Sequence, residues 1–259
     1  MTHSQLIELY NQVSKHSNYQ VLAEPLREII PANTLETRSR FEQERLDYVL
    51  DKLSIDSQSV VDIGGNTGFF SLELVRHGAR SATLIEGNPD HSLFVSEAAK
   101  ALGWQDKVTV ENRYLNFGDD IRSIKSDLCL LLNVLHHVGD DFGDRSQPIE
   151  RAKENILTSL SSLARQTRFL VFQLGFNWKG DVSLPLFQHG TKQEMIDFIR
   201  AGTSETWNIL DIGIAQRDSD GTQYADLDAK NIERMDALGE FLNRPLFIME
   251  SKAFHDSRP

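Results

Sequence analysis

The chain has 259 residues, of which 40% are hydrophobic and 25% are charged, the composition of an ordinary globular protein. Its 27 basic against 38 acidic residues give a formal net charge of −11, which argues against extensive binding to a nucleic-acid backbone. The longest clean apolar run, residues 128–132, is too short to span a bilayer, and the polar N-terminus lacks a secretion signal, so we expect a cytoplasmic protein.

Two helices are predicted before the first strand. Residues 4–14 carry helical spacing, and in residues 36–53 apolar side chains recur every three or four positions, which gives one apolar face. The segment between them contains two prolines, which interrupt any continuous helix. We therefore treat residues 1–55 as an N-terminal helical extension, or cap, and residues 56–259 as the main domain.

The stretch VVDIGGNTGFF, residues 60–70, predicts a strand, a glycine turn and a helix in succession. Its first four residues include three β-branched side chains, which suit a covered pleated strand. Gly64, Gly65 and Gly68 suit a turn that needs unusual backbone angles or lets another molecule touch the main chain. This layout is typical of a loop that cradles a ligand.

Beyond that loop, strands and helices alternate along the chain. Further strands are predicted at 81–87, 107–112, 126–134, 168–175, 207–215 and 244–254, and helices at 89–102, 148–164, 191–202 and 228–242. Seven strands with helices between most of them predict an α/β fold, with a Rossmann-like, mostly parallel sheet and helices on both faces. The segments at about 176–190 and 216–242 exceed such a minimal domain, and we expect lid-like insertions there. The only cysteine, Cys129, is expected to be a buried neutral thiol.

The glycine turn lacks the spacing of the common phosphate-binding loops. It does not fit the G-x-G-x-x-G pattern of dinucleotide sites, and Gly68 is followed by two phenylalanines rather than by the Lys-Ser/Thr of a P-loop. Glu86, at the end of the second predicted strand, follows Gly68 by 18 residues and can accept two hydrogen bonds from a ribose diol. The sequence therefore predicts a site for a nucleoside without a phosphate chain.

Together, VVDIGGNTGFF, LIEG and DLCLLLNVLHHV resemble the glycine motif, the following acidic residue and the fourth-strand motif of the class I S-adenosylmethionine-dependent methyltransferases. The resemblance covers roughly residues 58–175 well. It implies S-adenosyl-L-methionine as the cofactor, with Asp62 orienting the loop and the cofactor's ammonium, Glu86 binding the ribose, and the backbone of Asn133 facing the reacting methyl group. The loop residues implied to lie against the cofactor are Gly64, Gly65, Asn66 and Gly68.

The adenine contact departs from the family pattern. Many members place an aspartate just after the third strand to bind the adenine amino group, and no acid stands directly there in this chain. Asn112 occupies the nearest position and is our predicted adenine contact. Tyr114 is the alternative, through contact with the ring.

The catalytic prediction concerns the two histidines that follow the fourth strand. An alcohol acceptor must lose a proton during methyl transfer, so a nearby general base helps. His136 and His137 stand at the rim where the acceptor should lie, and histidine titrates near neutral pH. We name this pair as the candidate base and prefer His137. The alternative is that the second histidine only bonds the loop backbone, as it often does in the related enzymes.

Three carboxylates follow that pair, Asp140, Asp141 and Asp144. Some sugar O-methyltransferases hold Mg²⁺ with acids at this rim, where the ion positions and acidifies a diol. A loop with several acids is more often simply solvated. We therefore predict no metal site and keep Mg²⁺ as the open alternative.

The acceptor site is the least readable part of the sequence. Aromatic and polar groups suit a sugar, and arginines suit a phosphate or carboxylate on it. The candidate acceptor-binding residues are Arg38, Arg40, Trp178 and His189.

Three classes of function are compatible with these features. The favoured one is O-methylation of a small-molecule or glycan acceptor, such as a sugar of a surface polysaccharide or its precursor. An RNA-modifying methyltransferase is the alternative, although no basic face or RNA-binding module stands out. The third is a non-catalytic cofactor-binding protein. A homodimer is compatible with the sequence, and a nucleic-acid partner is not expected.

Overall fold

The structure is a computed structural model that describes residues 3–11, 19–31, 35, 37, 39–118, 120–219 and 221–254. Within them one sheet runs in the order β3-β2-β1-β4-β5-β8-β6-β7. Its strands are β1 (Ser59–Ile63), β2 (Ser81–Glu86), β3 (Val108–Asn112), β4 (Ser126–Leu132), β5 (Thr167–Gln173), β6 (Trp207–Asp218), β7 (Gly221–Asp226) and β8 (Leu246–Ser251). The α-helices are α1 (His3–Tyr10), α2 (Glu24–Arg27), α3 (Glu42–Lys52), α4 (Phe69–Arg76), α5 (Pro89–Ala101), α6 (Ile149–Leu163), α7 (Lys192–Thr203) and α8 (Gly239–Leu242).

The sheet is parallel through its first five strands and antiparallel beyond them. β1 pairs in parallel with both β2 and β4, while β2 pairs with β3 and β4 with β5 in the same sense. β8 runs antiparallel between β5 and β6. The strand order therefore reverses at β1 and β4, whose carboxyl ends flank the crevice where open α/β sheets bind ligands.

The predicted count of seven strands is wrong, because the sheet has eight. The segment after residue 215, predicted as the start of a lid-like insertion, continues β6 and returns as β7 in an antiparallel hairpin, from the pair Gly213 and Asp226 to the pair Asp218 and Gly221. β7 is an edge strand with mostly polar side chains, so it lacks the apolar alternation that marks a strand in sequence.

The helix predicted at 228–242 is also wrong, apart from its last turn in α8. Side chains hold the backbone of this segment in a non-helical path. Asn231 Oδ1 accepts from the Asp228 amide at 2.8 Å, and the Lys192 ammonium donates to the carbonyls of Asn231 and Glu233 at 2.8 and 2.9 Å. Such side-chain bonds satisfy backbone groups that a helix would otherwise pair.

The other helices lie close to their predicted positions. α5, α6 and α7 each end within one residue of the prediction, and α7 has the capping box that Thr191 and Glu194 predicted. α3 is shorter than the 36–53 prediction. Part of the predicted 4–14 helix lies outside the described residues, but α1 packs on α5 through Tyr10 and Phe94, whose rings meet edge to face at 5.4 Å.

Helices cover both faces of the sheet, as the apolar strands predict. Neighbouring residues of one strand point to opposite faces. Val60 accordingly belongs to one buried apolar cluster and Val61 to the other. Cys129 is buried as a free thiol, and burial raises its pKa. Among the described helices, none has the length and apolarity that a bilayer crossing requires.

Candidate active site

A cleft of about 530 Å³ opens at the carboxyl ends of β1, β2 and β4. Its floor is the glycine turn after β1 and the residues that end the neighbouring strands. The N-terminal extension and both predicted insertions also line it, through Tyr19, Arg40, Lys179 and Phe241. The N-terminal extension and the two insertions thus all reach the crevice between β1 and β4, the switch point where the strand order reverses.

The glycine turn presents bare main chain to the cleft. Gly64 has a φ of +70°, and a Cβ placed there would lie 2.7 Å from Cγ2 of Val134. A Cβ on Gly65 would lie 2.6 Å from the Asp62 carboxylate. Gly68 caps α4 in the left-handed region and lies behind the cleft wall. The turn therefore requires glycine at these positions, and Gly64 and Gly65 line the cleft with main chain alone.

Asp62 lies beneath this turn and is almost fully buried. Its carboxylate accepts from the Ser71 hydroxyl at 2.8 Å. Burial raises the pKa of Asp62 to about 7, and the nearby charge of Glu86 acts in the same direction against the Ser71 bond. The side chain thus anchors the loop from below.

Glu86 ends β2 and faces the cleft opposite the glycine turn. One carboxylate oxygen accepts from the amide of Asn66, and the other accepts from the amide of Asn88, both at 2.8 Å. The two amides fix the orientation of the carboxylate.

The wall beyond β3 differs from the prediction. Asn112 does not line the cleft, because its side-chain amide donates to the Glu86 carbonyl at 3.0 Å and to the Ser92 hydroxyl at 3.1 Å. The following residues line this wall instead: Arg113, Tyr114, Leu115 and Phe117. Of these, only Tyr114 was weighed from the sequence.

Asn133 follows β4 with a left-handed φ of 62°, which turns the chain into the cleft. Its side chain donates to Gln173 Oε1 at 3.0 Å and accepts from the guanidinium of Arg244 at 2.7 Å. Arg45 Nη1 donates to the same Gln173 oxygen at 3.4 Å. The end of β4 is therefore fixed by a buried side-chain network.

Several residues in or beside the cleft could not be identified from the sequence. Oε1 of Gln20 accepts from the Thr67 hydroxyl at 3.1 Å and from the amide of Phe69 at 3.2 Å. The N-terminal extension is therefore hydrogen-bonded to the glycine turn. The other residues that sequence analysis missed here are Glu42, Arg45, Gln173, Glu240, Phe241 and Arg244. Together with Gln20 they come from four distant segments, and no local pattern marks them.

The two histidines occupy different environments. His136 is buried, and its Nδ1 accepts from the amide of Gly175 at 3.2 Å. His137 is partly exposed at the cleft, and its Nδ1 lies 3.6 Å from the Asp141 carboxylate and 3.9 Å from that of Asp140. Both histidines line the cleft, but Nδ1 of His136 accepts from the Gly175 amide, whereas Nδ1 of His137 lies beside two carboxylates.

The acidic rim is arranged differently from the predicted trio. His137, Asp140 and Asp141 offer three ligand atoms within 4.8 Å of one another, a spacing that suits a metal ion. Asp144 instead accepts from the amide and hydroxyl of Ser146. Those bonds hold the pKa of Asp144 below its usual value.

The predicted acceptor residues divide between cleft and surface. Arg40 lines the cleft, whereas Arg38 lies outside the described residues. Trp178 is buried behind the wall, where its indole N–H donates to the Val138 carbonyl at 2.6 Å. His189 is exposed beside the capping box of α7, away from the cleft.

No protein-family model and no curated protein matches this sequence. Solved structures match it by fold. The crystal structure of the bifunctional kinase-methyltransferase WbdD gives a TM-score of 0.60 at 16% identity, over 95% of this chain and 46% of the WbdD chain. A second WbdD structure gives 0.59 at the same identity. The chain spans about half the length of the WbdD chain, and the likeness shows that it shares the fold of the matched part of WbdD.

Proposed function

We propose that the protein is an S-adenosylmethionine-dependent methyltransferase that O-methylates a small polar acceptor, such as a sugar of a surface glycan or its precursor. The observation that carries this proposal is the bare glycine turn at the switch point, facing an oriented carboxylate at the end of β2. This pairing suits a nucleoside whose ribose bonds the acid while its tail lies on main chain.

The residues present fit that cofactor. Gly64 and Gly65 line the cleft without side chains, so a ligand tail can lie against their main chain. A carboxylate can accept hydrogen bonds from the two hydroxyls of a ribose, and Glu86 faces the cleft, where Tyr114 and Leu115 offer an apolar wall for a base. A cleft of about 530 Å³ lies within the range of small-molecule sites, roughly 300–1,000 Å³.

When bound, S-adenosylmethionine supplies an electrophilic methyl group on a sulfonium. The residues of this chain align the partners, and alignment alone can remove on the order of 7–11 kcal/mol from a barrier. In this proposal the main chain of Gly64 and Gly65 carries the methionine part, and Asp62 orients the loop. The backbone of Asn133 faces the point of transfer.

His137 is the proposed general base. Its ring lines the cleft, while the carboxylates of Asp140 and Asp141 lie near Nδ1. In this arrangement Nε2 takes the acceptor proton, and the two acids stabilise the imidazolium that forms. His136 is the positioning member of the pair, since its Nδ1 is engaged with Gly175.

Binding of the cofactor tests the proposal before any acceptor is known. Titration calorimetry of the full chain should show one site for S-adenosylmethionine and for S-adenosylhomocysteine. Glu86→Gln should weaken both by about tenfold, or roughly 1.4 kcal/mol, because one charge-assisted bond is lost. Glu205→Gln, an exposed acid after α7, is the matched control and should bind normally. A folded wild-type protein that takes up neither compound would refute the proposal.

A further inference from the structure

Three guanidinium groups surround one phenyl ring at the side of the cleft. The guanidinium carbons of Arg40, Arg45 and Arg244 lie 5.1, 5.2 and 5.0 Å from the centre of the Phe241 ring. All four residues line the cleft. Like charges this close repel one another, and the charge of Arg244 acts with burial to lower the pKa of Arg45. In a chain with a net charge of −11, three clustered arginines are not expected from composition alone, and a bound anion would explain them.

The protein neutralises only part of this cluster. Arg45 pairs with Glu42 at 3.6 Å, and Arg244 pairs with Glu240 at 2.5 Å. Arg40 stacks on the rings of Tyr19 and Phe241, and within the described parts of the chain no carboxylate lies at ion-pair distance from it. Stacking occupies the faces of a guanidinium and leaves its N–H edge for a ligand.

The geometry points to an anion subsite at this cluster, in which Arg40 is the principal donor and which holds a phosphate or carboxylate of the methyl acceptor. Both groups match the planar fork of arginine in a bidentate pair. This inference rests on the proposed function and narrows its substrate class to anionic acceptors.

The position of the cluster favours the acceptor over the cofactor as the source of the anion. Arg244 bonds Asn133, so the cluster adjoins the end of β4, where transfer is proposed. Arg40 and its two stacking partners belong to the N-terminal extension and the 216–242 insertion, outside the strands that carry the glycine turn. The guanidinium of Arg45 also lies 5.2 Å from the ring of Phe70, which directly follows the glycine turn. The carboxylate of the cofactor is therefore the competing source of the anion.

The test measures the binding of inorganic phosphate and of acetate to the full chain by NMR titration, in the absence of any nucleoside. Wild type should bind phosphate saturably, and Arg40→Gln should weaken this by at least about tenfold, as loss of a bidentate charged pair does. Arg40→Lys, which keeps the charge without the fork, should fall between the two. The matched control is Arg151→Gln on the exposed face of α6. Phosphate binding that is absent, or equal in wild type and Arg40→Gln, would overturn the subsite.

A second arm separates the two sources. S-Adenosylhomocysteine carries the amino-acid carboxylate, whereas 5′-methylthioadenosine lacks it. If Arg40 serves the acceptor, Arg40→Gln leaves the affinities for both nucleosides unchanged. A selective loss for S-adenosylhomocysteine would assign Arg40 to the cofactor and overturn the acceptor assignment. Failure of either nucleoside to bind wild type counts against the proposed function, whereas the phosphate titration is measured without them and reports on the subsite alone.

Discussion

The two halves of the cleft are built in different ways. The half around the glycine turn comes from one continuous stretch, β1 to the start of α5, and its key contacts are main-chain amides bonded to Glu86. The other half is a network of side chains from four distant segments: Arg45, Asn133, Gln173 and Arg244.

The difference suggests how such a fold keeps one ligand and changes another. Main chain offers the same groups whatever the side chains are, provided that glycine stands where the backbone requires it. A side-chain network changes with each substitution and can be rebuilt around a new molecule. We therefore expect the glycine half to serve the invariant cofactor and the network half to set the acceptor.

The largest effect is expected at His137, the proposed general base. His137→Ala should lower kcat by about 10²–10⁴-fold, the usual contribution of general acid–base catalysis. Cofactor affinity should stay unchanged, since in the proposed arrangement the ring serves the acceptor and does not contact the cofactor. Steady-state kinetics and calorimetry measure the two quantities. His189→Ala is the control, because that histidine is exposed and outside the cleft. Full turnover in the His137 variant would remove the assignment of the base.

Metal removal tests the alternative that this rim binds Mg²⁺. If His137 acts as the base, turnover should survive treatment with EDTA. Loss of activity that Mg²⁺ restores would instead assign His137, Asp140 and Asp141 to a metal site.

The next largest effect concerns the main-chain half. Gly64→Ala should reduce cofactor affinity by about 100-fold, or roughly 2.7 kcal/mol, because its methyl group would meet the stiff Val134 side chain and displace the turn. Gly103→Ala is a close control: its φ is +69° against +70° for Gly64, and a Cβ there has no neighbour within 4 Å among the described residues. Both variants carry the strain of a left-handed alanine, about 1–2 kcal/mol. Equal affinities in the two would show that no ligand approaches Gly64.

The glycine half of the cleft could be predicted from the sequence, whereas most of the network half could not. Strand, glycine turn and acid were predictable because residues 60–86 determine them locally. The hydrogen bonds of Asn112 could not be predicted, because its amide donates to the Glu86 carbonyl and the Ser92 hydroxyl, which come from other segments of the chain. Arg244 reaches Asn133 only after β8 inserts beside β5, a long-range pairing that no local pattern announces. The β6–β7 hairpin was not predicted either, because an edge strand needs no apolar alternation and so has no clear pattern in the sequence.

A smaller effect is expected from the buried acid of the main-chain half. The pKa of Asp62 is raised to about 7 by burial, above its value of about 3.9 in an unfolded chain. The folded state then holds a proton that the unfolded state has lost, so this contribution to stability is greatest below pH 4 and declines as pH rises to about 7. Asp62→Asn should flatten the decline, which denaturant melts from pH 4 to 8 can measure. A wild-type curve parallel to that of the variant would contradict the assignment.

The smallest effect is expected at Asn112. Asn112→Ala removes two hydrogen bonds outside the cleft, so the free energy of unfolding should fall by about 1 kcal/mol while cofactor affinity is kept. Chemical denaturation and calorimetry separate the two quantities. A marked loss of affinity at unchanged stability would restore Asn112 as an adenine contact.

A crystal structure of the full chain grown with S-adenosylhomocysteine tests the proposed cofactor site most directly. We predict that the ribose hydroxyls lie within hydrogen-bond distance of the Glu86 carboxylate, with the homocysteine part against the main chain of Gly64 and Gly65. A crevice without the ligand at saturating concentration, or a nucleoside bound with its ribose away from Glu86, would contradict it.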